Sequence, residues 1–241
     1  MWETFALLLT GHLLGDFLFQ TAWMVQHKQK PAVLLIHVSV VVLITAVLLG
    51  SLHWPILLLI YGSHLAMDAI KTWVLSDELK PFLFDQFVHI AVVFGLAIAY
   101  PEAAAQSLWL KLIAAEYHNL FYAALAATGS LVLAITAGGY LIGTMLKPLV
   151  NELEEEELQG LKRGGQYIGW LERALVVLFV YTGQPTGVGF VLGAKSILRF
   201  GDISNAKERR VAEYIIIGTF LSFGWALLIA NVSVYVIGHW L

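Results

Sequence analysis

The sequence predicts an all-α protein, a polytopic bundle of transmembrane helices. Hydrophobic residues fill 59% of the 241 positions and charged residues only 13%, roughly half the charged share of an ordinary soluble domain. Mean hydropathy is +0.77. Apolar runs recur at lengths near the roughly 20 residues a helix needs to cross hydrocarbon. The lipid bilayer is therefore the first expected partner. A net charge of −3 speaks against nucleic acid, whose binding rests on neutralising phosphates with basic side chains. With no cysteine there is neither a disulfide framework nor a thiolate ligand. Met1, Trp2 and Glu3 supply no basic leader and Asp16 interrupts the first apolar run, so the first segment is expected to remain as a helix.

Eight spans are expected, at about 2–23, 32–50, 54–75, 82–100, 117–146, 167–182, 186–200 and 211–238. Pro31, Pro55 and Pro81 stand at or near the starts of three of them, where the amide that proline lacks has no intrahelical partner anyway. The fifth span carries Ala134, Gly138, Gly139 and Gly143, small residues that let helices approach closely. The sixth and seventh are short and turn at 183–187, around Gly183, Pro185 and Gly187. They form either two crossings or one re-entrant hairpin, which would leave six crossings. Placing both termini outside puts Lys28, Lys30, Lys71, Lys80, Lys147, Lys162, Arg163, Arg199, Lys207, Arg209 and Arg210 at cytoplasmic ends, with Lys111 outside. Residues 1–147 then form a five-helix part, 148–166 an acidic cytoplasmic linker with Glu152 and Glu154 to Glu157, and 167–241 a short hairpin plus one long helix.

Within the first ninety residues the apolar runs are broken by a polar set. His12, Asp16 and Gln20 are spaced by four and share a helix face, His64 and Asp68 repeat the spacing with Lys71 three residues on, and Asp85 and His89 carry it reversed. The reversal suits a fourth span running antiparallel to the first and third. By helical rise, Asp16 and Asp68 lie about 6 Å closer to the cytoplasm than their histidines. His37 on the second span and Asp85 on the fourth fall in the same layer. Ionisable groups in membrane spans are costly and read as functional by default.

Four imidazoles and three carboxylates suit a divalent metal ion, zinc or manganese. The expected ligands are His12, Asp16, His37, His64, Asp68, Asp85 and His89, in a mononuclear site or as two metals bridged by a carboxylate. Gln20 and Gln86 would orient ligands or hold a water. Asp16, Asp68, Asp85 and Lys71 are the expected catalytic residues. A carboxylate free of metal would act as general base for a metal-held water, and Lys71 would balance charge or hold an anionic substrate group. The bland alternative is hydrogen-bonded glue between helices, which a common depth and repeated spacing disfavour.

A second polar group comprises Glu172, Arg173, Lys195, Arg199 and Glu213. It reads either as ion pairs closing the bundle or as an anion pocket. In the pocket, Arg173, Lys195 and Arg199 hold a phosphate, with Glu172 and Glu213 fixing their geometry. Gly193, Lys195 and Ser196 do not form a P-loop, because Ala194 breaks the spacing and no strand precedes it.

At His12-x3-Asp16-x3-Gln20, His64-x3-Asp68-x2-Lys71 and Asp85-Gln86-x2-His89 the chain resembles an uncharacterised bacterial family of polytopic membrane proteins, known only as a domain of unknown function. Leu171-Glu172-Arg173, Lys195-Ser196-x2-Arg199 and Glu213-Tyr214-x3-Gly218-Thr219 look like that family's longer members. The resemblance implies a multi-pass protein of the bacterial inner membrane. In style of motif, though not in spacing, the His/Asp set is similar to LexA-regulated membrane-bound metal-dependent hydrolases. That similarity implies hydrolysis.

The function expected is therefore an intramembrane metal-dependent hydrolase acting on a lipid-like or phosphorylated substrate near the cytoplasmic leaflet. A metal-ion or proton transporter using the same cluster is the rival from another class. A non-catalytic membrane scaffold that docks partners through its acidic linker is the third.

Overall fold

The computed structural model describes residues 1–76, 78–153, 163–200 and 206–241, with 198–200 and 206–208 described by backbone alone. The described residues are helical with turns and contain no strand. They divide into two units, Met1–Val132 with Val236–Leu241, and Leu133–Tyr235.

The first unit begins with α1 (Trp2–Leu13), which runs into a π-helical turn at Leu14–Leu18. A bend at Phe19 and Gln20 follows, then the short α2 (Ala22–His27), capped by the Thr21 hydroxyl, which accepts from the Met24 amide at 3.2 Å. The stretch expected as one span over 2–23 is thus divided. α3 (Pro31–Leu49) opens on proline and ends at Gly50, whose φ of 58° is the left-handed conformation glycine adopts without penalty. α4 (Trp54–Trp73), α5 (Leu79–Ala99), α6 (Leu108–Leu112) and α7 (His118–Val132) complete the unit. α1 packs against α3, α5 and α7, α3 against α4, and α4 against α5. The apolar core includes Leu7, Leu8, Val41, Ile60, Val93 and Leu125.

The second unit opens on a π-helical turn at Leu133–Ala137 and continues as α8 (Gly138–Val150), α9 (Gly164–Tyr181), α10 (Thr186–Phe200) and α11 (Ala206–Ile237). α9 and α10 are joined through Gly183, at φ 69°. Val176, Val188, Phe223 and Ala226 bury one small core between α9, α10 and α11.

Among the described residues, four helices are long and apolar enough to cross a membrane: Pro31–Leu49, Leu79–Ala99, Ala115–Val150 and Arg209–Ile237. α4 has the length, but His64, Asp68 and Lys71 dilute its apolar character. Large apolar side chains face outward on these elements, as Leu43 (63% exposed), Leu58 (65%) and Phe87 (69%) do. An apolar exterior around buried ionisable groups is what lipid as solvent selects. The acidic stretch 154–157, Lys162 and the segment 201–205 lie outside the described residues.

Candidate metal centre

Close helix packing assembles the site. Gly11 and Gly15, four apart on α1 and its π turn, face α3. A Cβ on Gly11 would lie 3.0 Å from Thr45 Oγ1, and one on Gly15 3.1 Å from Val41 Cα. Only glycine lets the two backbones come so near. The π turn, closed by Phe19 N donating to Leu14 O at 2.9 Å, falls where Asp16 projects; single π turns recur at functional sites. α1 thus sets His12 and Asp16 beside His37 of α3, while α4 brings His64 and Asp68 and α5 brings Asp85, Gln86 and His89. His12, His37, His64, Asp68, Asp85 and His89 are all buried.

Their polar atoms converge. Asp16 Oδ1 lies 3.0 Å from His64 Nε2 and 3.3 Å from His37 Nε2, and the two imidazole nitrogens are 3.3 Å apart. Asp68 Oδ2 lies 3.4 Å from His37 Nε2 and 3.7 Å from His64 Nε2. Ligand atoms about 2.1 Å from a shared ion stand about 3.0–3.4 Å apart as neighbours in octahedral or tetrahedral geometry. The triangle of Asp16, His37 and His64 has these edges. Two further sets can each converge on one point, His12 with His64 and His89, and Asp68 with Asp85 and His89. The His64 and His89 rings are 4.1 Å apart between centroids, and those of His12 and His89 5.2 Å.

Hydrogen bonds satisfy only part of this cluster. Among the described residues, Asp16 Oδ1, Asp68 Oδ2, Asp85 Oδ1, His37 Nδ1 and both ring nitrogens of His89 are buried without a hydrogen-bond partner. A single unsatisfied buried polar group costs about 1–3 kcal/mol, and such a group in a native protein calls for an ion, a water or a chemical role. Here six such atoms belong to one cluster.

The rest of the set is held firmly. Gln20 Nε2 meets His37 Nε2 at 3.2 Å. Gln86 presents Oε1 to His12 Nε2 at 3.2 Å and donates from Nε2 to Asp16 Oδ2 at 3.3 Å and Asp85 Oδ2 at 3.2 Å. Lys71 Nζ binds Asp85 Oδ2 at 2.6 Å, and His89 Nδ1 faces Asp85 Oδ1 at 3.5 Å. Beside His12, His64 and His89 lies a cavity of about 10 Å³ walled by apolar residues such as Leu8, Val41 and Ile60, close to the room one water needs.

One member escaped the sequence reading. Lys28 Nζ lies 3.1 Å from Asp68 Oδ1. In the sequence Lys28 is an ordinary basic residue after a span; only the chain reversal through α2 turns it inward.

In the second polar group, among the described residues, only Lys195 and Glu172 meet each other, while Arg173 and Glu213 have other partners. Arg173 donates to Ile135 O through Nε (3.2 Å) and Nη2 (2.9 Å), and to Ser222 Oγ through Nη1 (2.9 Å). Ile135 sits in the π turn, where carbonyls lose their regular partners, and Trp225 Nε1 donates to Leu133 O in the same turn at 3.0 Å. Lys195 Nζ pairs with Glu172 at 2.8 Å. Glu213 stays apart from these, paired at 3.1 Å with Arg209, both exposed. The Arg199 side chain lies outside the described residues.

No curated protein and no solved structure matches the chain. A family model does match, described as a protein of unknown function (DUF3307), over residues 4–121. That stretch begins within α1, runs through α6 into α7, and holds every side chain of the His/Asp cluster and both of its lysines. Residues 4–121, just under half of the chain, are thus similar to this uncharacterised family.

Proposed function

We propose that the His/Asp cluster holds a divalent metal ion, zinc or manganese, and that the protein is a multi-pass inner-membrane hydrolase. Its substrate is lipid-like or phosphorylated and is met near the cytoplasmic leaflet. The observation that carries this reading is the triangle of Asp16 Oδ1, His37 Nε2 and His64 Nε2, with edges of 3.0 to 3.3 Å, among buried atoms that lack hydrogen bonds. A divalent ion there would supply Lewis acidity and bring a bound water's pKa toward neutrality.

The remaining residues divide the work. Asp68 Oδ2 adjoins the triangle as a further oxygen ligand. His89 borders the water-sized cavity, its Nδ1 facing Asp85 and its Nε2 unpartnered among the described residues, and takes the proton from the attacking water at Nε2. Asp85 orients that ring, and Lys71 fixes Asp85. In this reading His89, rather than a free carboxylate, is the general base, with the carboxylate behind it as orienter.

The test is metal analysis of the protein purified without chelators, paired with hydrolysis assays on fluorogenic phospholipid and phosphate-ester analogues. The parent is expected to retain metal and hydrolyse, and His64→Ala and Asp68→Ala to lose both. His89→Gln is expected to keep the metal while the turnover rate falls about 10²- to 10⁴-fold. A parent without metal contradicts the reading. Metal flux in proteoliposomes without hydrolysis assigns the cluster to transport instead.

A further inference from the structure

We infer that the centre takes one divalent cation together with one phosphate-type oxyanion, Lys28 and Lys71 standing where a two-metal site would hold its second ion. This rests on the metal reading above and deepens it. Two of the three carboxylates are divided in the same way. Asp68 gives Oδ1 to Lys28 at 3.1 Å and turns Oδ2 toward His37 and His64. Asp85 gives Oδ2 to Lys71 at 2.6 Å and turns Oδ1 toward His89. Among the described residues Asp16 meets no lysine; its Oδ2 accepts from Gln86.

Charge then limits the metal count. With neutral imidazoles, three carboxylates and two ammoniums leave one negative charge. One divalent ion turns the centre to a single positive charge, whereas a second would raise it to three. The Asp side chains that would have to contain that charge are only 1–9% exposed, and uncompensated charge in such surroundings is strongly disfavoured. A single positive charge is matched by an anionic oxygen ligand.

The lysines also indicate where that ligand sits. An ammonium has three donors. Lys28 and Lys71 each bind one carboxylate, and their side chains are 16% and 20% exposed, at the edge of the cluster. Lysine serves phosphate as a point charge. The cavity beside His12, His64 and His89 has otherwise largely apolar walls, so the charged end of a ligand belongs on the lysine side. Free phosphate and a phosphomonoester headgroup share this chemistry.

The experiment is a Mn²⁺ titration of the full chain in phosphatidylcholine nanodiscs, read by metal analysis and electron paramagnetic resonance. It is repeated with orthophosphate and with phosphatidic acid in the disc. The expected result is one Mn²⁺ per chain with an uncoupled six-line spectrum, bound roughly tenfold or more tightly when the oxyanion is present. Tightening by orthophosphate, by phosphatidic acid or by both identifies the source. Lys28→Gln and, separately, Lys71→Gln should abolish the tightening, and Lys28→Arg should keep it. Two Mn²⁺ per chain with an exchange-coupled spectrum overturns the inference and leaves the metal reading standing. One Mn²⁺ indifferent to both phosphate sources overturns it as well. No bound Mn²⁺ contradicts the metal reading itself.

Discussion

Asp85 is 1% exposed and meets Lys71 at 2.6 Å, so neither charge tolerates losing the other. Removing one partner of a buried ion pair costs about 3–5 kcal/mol. Because Lys71 is 20% exposed, Lys71→Met is expected near the lower end, read as a lowered midpoint of thermal unfolding in mild detergent. Adding Asp85→Asn should restore part of the loss, which a double-mutant cycle would measure. The His/Asp pairs were legible in the sequence because i,i+4 neighbours share a helix face whatever the tertiary fold. Lys28 was not, since its approach to Asp68 spans forty residues and depends on how α2 reverses the chain.

α1 and α3 owe their separation to Gly11 and Gly15. A Cβ on Gly15 would stand 2.8 Å from Val41 Cγ2 and 3.1 Å from the Val41 backbone. Gly15→Ala is therefore expected to destabilise by about 1–3 kcal/mol and to weaken metal binding, because the π turn after α1 carries Asp16 and α3 carries His37. Gly62→Ala on α4 is the control: among the described residues, nothing outside its own turn of helix lies within 4 Å of a Cβ placed there, and metal binding should not change. In the second unit, Arg173→Met should cost about 1–3 kcal/mol by stranding Ile135 O and Ser222. Sequence alone placed Arg173 in a second polar group but left two readings open. The π turn that exposes Ile135 O gives no residue signature, so its claim on the guanidinium appears only in the coordinates. The fold class, in contrast, follows from composition. The break in the first expected span does not, because Leu14 to Leu18 remain apolar apart from Gly15 and Asp16.

At the scale of the molecule, a ligand bound only by the folded chain stabilises it by mass action. At one hundred times the dissociation constant the gain is about 2.7 kcal/mol. Added zinc should therefore raise the unfolding midpoint of the parent, a chelator should reverse the rise, and His37→Ala should be indifferent to both. The family domain, residues 4–121, falls within the unit built from Met1–Val132, so one folded body carries all the groups on which the account depends. The most direct measurement is zinc X-ray absorption on the loaded protein in nanodiscs. Binding by the Asp16, His37 and His64 triangle predicts imidazole scattering from two histidines and a nearest shell of nitrogen and oxygen at about 2.0–2.2 Å. A spectrum indistinguishable from hydrated zinc, or one unchanged by His37→Ala together with His64→Ala, would contradict it.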